Sequence, residues 1–168
     1  MKCQQCSAEV SGAKFCSNCG SQMLPSQSRT PDEVDREWLW VIMERLGYRR
    51  DKEKENEDEA FGSHAEFGNL TLALKRNLGV IAISRFFRAR KAGWGKSIEQ
   101  LRTINKANGS GYVTTWFFDE RNNLLGAYSF VPLTESLTEA DVVDGIERYR
   151  NEIRVIFRDS GVLEYLAD

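Results

Sequence analysis

Tyr112-Val113-Thr114-Thr115-Trp116-Phe117-Phe118 is the run that decides the fold. Every residue in it is β-branched or aromatic, the side chains that pack best on a pleated surface. Glu120-Arg121-Asn122-Asn123 supplies a turn, and Leu124-Leu125-Gly126-Ala127-Tyr128-Ser129-Phe130-Val131 returns before Pro132 stops it. A second hairpin precedes this one. Glu66 to Leu74 alternates, with Leu70, Leu72 and Leu74 on one side, and Lys75-Arg76-Asn77-Leu78-Gly79 turns into Val80 to Phe87. Two hairpins predict an antiparallel sheet.

Three amphipathic segments flank the hairpins. Thr138 opens the last one, with Asp141 as capping-box partner, and Val142, Ile146, Tyr149, Ile153, Ile156 and Phe157 mark one helical face. Thr30, Pro31 and Glu33 open the first; Val34, Trp38, Val41, Ile42 and Leu46 form its stripe, and Gly47 closes it. The middle helix runs from Lys96 or Ser97 to Ala107, with Ile98, Leu101 and Ile104 inward and a turn at Asn108-Gly109-Ser110-Gly111. The charge run Asp51 to Glu59 reads as a solvated connection between strands, with an acidic interaction loop as the alternative. The order is helix, a weak strand signal, hairpin, helix, hairpin, helix. It predicts an α+β fold, an antiparallel sheet packed with three helices, over residues 31–168.

The amino-terminal end is different. All four cysteines fall there, as Cys3-Gln4-Gln5-Cys6 and Cys16-Ser17-Asn18-Cys19, with nine residues between the pairs. Two Cys-x-x-Cys turns facing each other suit a tetrahedral four-thiolate shell with Zn–S near roughly 2.3 Å. A shell filled by protein leaves no position for an activated water, so the expected cofactor is one structural Zn²⁺. A disulfide framework would suit a small secreted domain, and a redox pair would sit between a strand and a helix; neither context surrounds these cysteines. The stretch Ala13 to Gly20 resembles the short zinc-ribbon modules at the termini of many prokaryotic proteins. Residues 1–22 are therefore read as the ribbon, and 23–30, polar and interrupted by Pro25, as a linker.

The chain has 168 residues and a formal net charge of −2, which argues against nucleic-acid binding by overall charge but leaves room for a local basic face. It has no apolar run long enough to span a bilayer and no basic leader with an apolar core, so no membrane partner and a cytoplasmic location are expected.

From about Pro31 to Leu166 the chain resembles the YbjN family, whose fold is similar to that of type III secretion chaperones. The resemblance rests on the element order, on Leu101-Arg102-Thr103-Ile104-Asn105-Lys106-Ala107-Asn108, similar to the family's asparagine pair before a strand, and on Leu137-Thr138-Glu139-Ala140-Asp141. It implies a first strand near Tyr48 to Asp51 and non-enzymatic protein binding, often by dimers. Asn105 and Asn108 read as amides that hold the middle helix against the next strand.

Candidate chemistry is sparse. His64 has no cysteine or paired carboxylate nearby and reads as a loop residue. Gly93-Trp94-Gly95-Lys96-Ser97 ends like a phosphate-binding loop, but Arg90 occupies the place of its first glycine. No enzyme is expected. Candidate partner contacts are Trp40, read as outward-facing on the first helix, and Arg85, Arg88, Arg90, Lys91 and Trp94 in the basic 75–97 segment. Basic residues on a hairpin edge that block pairing are the alternative reading of that segment. In the strand from Tyr112, alternation puts Trp116 and Phe118 on one side and Thr115 and Phe117 on the other. Both sides are too apolar for full exposure, so the first helix or another chain should cover the one the last helix leaves. Tyr112, Trp116, Tyr128 and Phe130 are the aromatics available there. The resulting expectation is a protein-binding adaptor or chaperone-like regulator, with a protein partner or a homodimer. A nucleic-acid regulator using the ribbon and the basic segment is the second reading, and a ribbon serving only stability or oligomerisation the third.

Full-length protein from zinc-replete medium should carry one zinc per chain by elemental analysis. Markedly less would remove the ribbon assignment. Cys16→Ser should unfold the ribbon and leave the larger domain folded.

Overall fold

The computed structural model describes residues 18–19, 28–90, 96–119 and 121–166. Cys3, Cys6, Cys16, Lys91 and Trp94 lie outside them, as do most of residues 1–22 and 23–30. Cys19 sits in a short turn with Asn18 and is exposed.

The larger domain runs α1 (Arg36–Arg45), β1 (Arg49–Arg50), β2 (Glu59–His64), β3 (Gly68–Lys75), β4 (Val80–Arg88), α2 (Lys96–Ser110), β5 (Thr115–Asp119), β6 (Leu124–Pro132) and α3 (Glu139–Asp159). The strands form one antiparallel sheet in the order β1-β2-β3-β4-β6-β5. The α+β fold and both hairpins are as the sequence predicts.

Register shows where the helices lie. Leu72 faces Ile83, Leu74 faces Ile81, Ile81 faces Val131, and Trp116 faces Ala127. These residues share one side of the sheet and are buried in one cluster with Leu39, Ile42 and Met43 of α1, Ile104 and Ala107 of α2, and the α3 stripe. Every helix packs on that side. α3 brings the longest apolar stripe. Its Thr138 capping box is formed, with Thr138 N–H donating to Asp141 Oδ2 at 2.8 Å, and Val142, Ile146, Tyr149, Ile153 and Ile156 are buried as predicted. The Tyr149 hydroxyl donates to the Ala127 carbonyl at 2.8 Å, tying α3 to the middle of β6. Burial pushes that phenol far above its ordinary pKa.

The first helix is rotated from the predicted phase. Trp40, expected on an exposed charged face, is buried at 8%, while Val41, expected inside, is 40% exposed. The chain also breaks just before the helix. Thr30 and Glu33 bracket a separate 3₁₀ turn, Pro31–Glu33, and α1 starts afresh with Asp35 as its cap, accepting from Trp38 N–H at 2.7 Å. Val34 lies outside the helix yet is buried like Ile42, and Trp38 and Leu46 are half-buried against the same core, so Val41 is the residue of the predicted stripe that turns outward. The helix buries Leu39, Ile42 and Met43 most deeply, about one residue on from the predicted stripe, at ordinary helical spacing. Trp40 flanks them, closed over by the Arg50 guanidinium 5.3 Å from its ring.

Two further elements depart from expectation. β2 falls where no strand is expected, because Glu59-Ala60-Phe61-Gly62-Ser63-His64 has no β-branched residue. Its inward Gly62 instead makes room for Trp40 and Met43, and Ala60 beside it is fully buried. The strand after it starts at Gly68, so Glu66 and Phe67 lie in the turn. α2 buries Gln100, Ile104 and Ala107 and leaves Ile98 at 61% and Leu101 at 50% exposure. A polar residue on the inner face hid that phase. Finally, the charge run is not wholly solvated. Glu55 has a side chain only 3% exposed, bound to Arg50 Nη2 at 2.8 Å, and the same guanidinium binds Glu37 at 2.6 Å. Arg50 first, then Arg36, hold the Glu37 carboxyl down to about 2.

Trp40→Ala should destabilise the domain by about 3–5 kcal/mol in denaturant unfolding, and Val41→Ala should stay within about 0.5 kcal/mol. The reverse ranking would restore the outward-facing tryptophan.

Candidate functional site: the open aromatic face of the sheet

A sheet with helices on one side leaves its other side bare. Strand alternation assigns that side to Val80, Ala82, Ser84, Phe86 and Arg88 of β4, to Leu124, Gly126, Tyr128 and Phe130 of β6, and to Thr115 and Phe117 of β5. No described helix covers it, so α1 is not its lid. Four aromatics run across it in contact. Phe86 meets Phe117 edge-on at 5.9 Å, Phe117 meets Tyr128 at 5.7 Å, and Tyr128 meets Phe130 at 5.2 Å. Phe86 and Phe130, at the two ends, are 50% and 48% exposed.

Gly126 makes the arrangement possible. It pairs with both Phe86 and Phe117, and a Cβ there would lie 2.2 Å from the Phe117 ring. The ring lies across the strand in the space of the missing side chain. Aromatic cover of a cross-strand glycine stabilises the pairing.

The edge beside this face is closed at one place and open at another. At β5, Asn108 of α2 accepts from Trp116 N–H at 2.6 Å and donates to the Trp116 carbonyl at 3.0 Å. The side-chain amide thus takes the place of a neighbouring strand. This is the anchoring role expected of Asn108; Asn105 is exposed and takes no part. Just before β5, the Glu152 carboxylate of α3 accepts from the N–H groups of Tyr112 at 2.7 Å, Val113 at 2.8 Å and Thr114 at 3.2 Å. β6 is different. It pairs with β4 along its whole length but with β5 only over residues 124–128, so residues 129–132 have no strand on that side. A groove of about 210 Å³ lies there, lined by Val113, Ser129, Phe130, Val131, Gly145 and Arg148 among others.

The described residues of the basic segment do not form one surface. Lys75 pairs with Glu59 at 3.4 Å, and Arg76 donates to the carbonyls of Pro31 and Val34. Arg85 lies on the helix side of β4, its guanidinium 4.4 Å from the Phe87 ring centre, and Arg88 on the open side. Arg90 is exposed beyond β4, its N–H held by the Tyr165 carbonyl at 2.8 Å. Phe86 joins the open aromatic face while Phe87 packs beside Trp116 and Phe157. Tyr128 and Phe130 are on that face as well, whereas Trp116 is buried and Tyr112 precedes the strand, fully exposed. Sequence reasoning missed the pairing of Phe86 with Phe117. The available signal was the alternation Ser84, Phe86, Arg88 set against Tyr128 and Phe130.

His64 ends β2, and its Nδ1 accepts from the N–H groups of Glu66 and Phe67 at 3.0 and 3.2 Å, shaping the turn. Among the described residues no three His, Cys, Asp or Glu side chains converge as a metal shell, and no helix is long and apolar enough to cross a membrane.

The element order, the one-layer helical cover and the six-stranded antiparallel sheet define a YbjN-like α+β fold. Among solved structures the chain is similar to the crystal structure of YbjN from E. coli, described as a candidate transcription regulator. The two are 12% identical with a TM-score of 0.61, over 79% of this chain and 95% of that one. No family model matches the chain, and no curated protein matches it in sequence.

Proposed function

We propose that this protein is a non-enzymatic adaptor or regulator that holds a partner polypeptide on the open face of its sheet. The observation that carries the reading is the contacting row Phe86, Phe117, Tyr128 and Phe130 on a face that no described helix covers. Aromatic rings bring large apolar area with little side-chain entropy to lose, and they concentrate at protein interfaces. The occupant that fits is an extended apolar segment. Its backbone can pair along residues 129–132 of β6 and its side chains can lie on Tyr128 and Phe130. A second copy of this chain is one source of such a segment and a separate partner another.

In this reading Cys3, Cys6, Cys16 and Cys19 hold one structural zinc, and the ribbon is a second contact module. The YbjN-like fold supports a regulatory or adaptor role and does not distinguish protein from nucleic acid as the target. Nucleic acid is the weaker reading because Arg76 and Lys75 are engaged internally and Arg85 and Arg88 lie on opposite sides of the sheet.

The test selects peptides from a random display library on the full-length chain, with light scattering for self-association. Apolar, extended sequences should be enriched, and Phe86→Glu with Phe130→Glu should abolish their binding while the melting temperature stays within a few degrees. Peptide binding indifferent to both substitutions would overturn the proposal. So would binding only to DNA or RNA, falling steeply as salt rises.

A further inference from the structure

On the helix side of the sheet, away from the aromatic face, three arginines converge on one cavity. It has a volume of about 160 Å³ and lies between α3, β3, β4 and the start of β1. Arg150 and Arg154 enter from α3 and Arg85 from β4; Tyr48, Phe67 and Phe157 supply rings, and Leu70 and Ile153 aliphatic walls.

Arg150 is the informative residue. Its side chain is only 7% exposed, Nε donates to the Tyr48 hydroxyl at 3.1 Å, and Nη1 donates to Glu147 at 2.7 Å. Its Nη2 is buried without a hydrogen-bond partner. A guanidinium presents its donors in a fixed planar fork, so an orphaned buried Nη2 is a donor waiting for an acceptor. The Tyr48 hydroxyl accepts from Arg150 and keeps its own proton to donate. Arg85 adds a second donor. It is more than half buried, makes no ion pair among the described residues, and is held below its ordinary pKa by that burial. Its Nη2 packs so closely on Gly68 that a Cβ there would lie 2.5 Å away. Gly68 has φ +67°, so its lack of a side chain serves both the turn and the arginine.

Charge and lining select the ligand. Arg150 is paired with Glu147 and Arg154 with Glu66, which leaves the Arg85 charge uncompensated. That balance suits one negative charge rather than the two of a phosphate. Apart from the arginines and Glu66, which is held by Arg154, the walls are aromatic and aliphatic, which suits an apolar body behind the anion. We propose that this cavity binds an organic monocarboxylate with an apolar body, its carboxylate bridging the donors of Arg150 and Arg85. The site is separate from the polypeptide face and does not depend on it.

The test is calorimetric titration of the full-length chain with phenylacetate, benzoate and 4-methylvalerate, with phenylacetamide and inorganic phosphate as controls. At least one carboxylate should bind saturably at a single site. Phenylacetamide should not bind, and phosphate should bind at least about tenfold more weakly. Arg85→Met keeps the apolar stem and removes the unpaired charge, and should weaken the carboxylate about tenfold or more, as expected for loss of a charge-assisted hydrogen bond. Arg150→Lys is the second variant, which keeps the charge but not the planar fork, and should weaken it as well. No saturable binding by any of the three acids would overturn the site. Binding unchanged in Arg85→Met, or phosphate binding as tightly as the acids, would overturn it equally.

Discussion

The single helical layer is the constraint on which the rest depends. Six antiparallel strands present two faces, and all three helices spend their apolar stripes on one of them. Burial of that face is nearly complete: Leu72, Ile81, Ile83 and Ala127 have no measurable exposure. The other face must satisfy opposed demands. Its strands need β-forming residues to pair, and none of the described helices hides them. The outcome is the contacting row from Phe86 to Phe130, with rings shielding one another and Gly126. Such a row lowers its own exposed area without removing it.

Edges of the same sheet show how pairing is controlled. Asn108 occupies the backbone groups of Trp116, and Glu152 gathers three N–H groups of the chain leading into β5. Both devices come from helices, so the helical layer that leaves one face open also decides where the edge is closed. Residues 129–132 of β6 escape both. An open apolar face thus adjoins a short unpaired edge, apart from the arginine cavity beneath α3.

Much of this was legible in the sequence. The α3 stripe from Val142 to Ile156 and the Thr138 box needed only spacing and capping chemistry, because nothing interrupts the helix. The β5–β6 hairpin was equally plain from its β-branched and aromatic residues. The errors have local causes. α1 centres its buried face on Leu39, Ile42 and Met43, about one residue on from the predicted stripe, and Trp40 is turned inward with them. Gln100 on the inner face of α2 broke the apolar pattern, and Ile98 and Leu101 look inward only if that residue is ignored. β2 carries Gly62 because Trp40 and Met43 need the room, a tertiary demand that no propensity records. Glu55 is buried within a run of charges because Arg50 reaches it, which spacing cannot reveal. The arginine cavity was invisible for the same reason: Arg85, Arg150 and Tyr48 are far apart in the chain and meet only in the fold.

Photo-crosslinking tests the role of the open face most directly. A benzophenone side chain placed at Phe130, and as a control at Val155 on the outer side of α3, would be activated in cells producing the full-length chain. Adducts at position 130 should be polypeptide by mass spectrometry, mapped to a defined segment of one partner or of a second copy, and absent from position 155. Equal yields at the two positions, or adducts to nucleic acid alone at position 130, would contradict a polypeptide-binding sheet face.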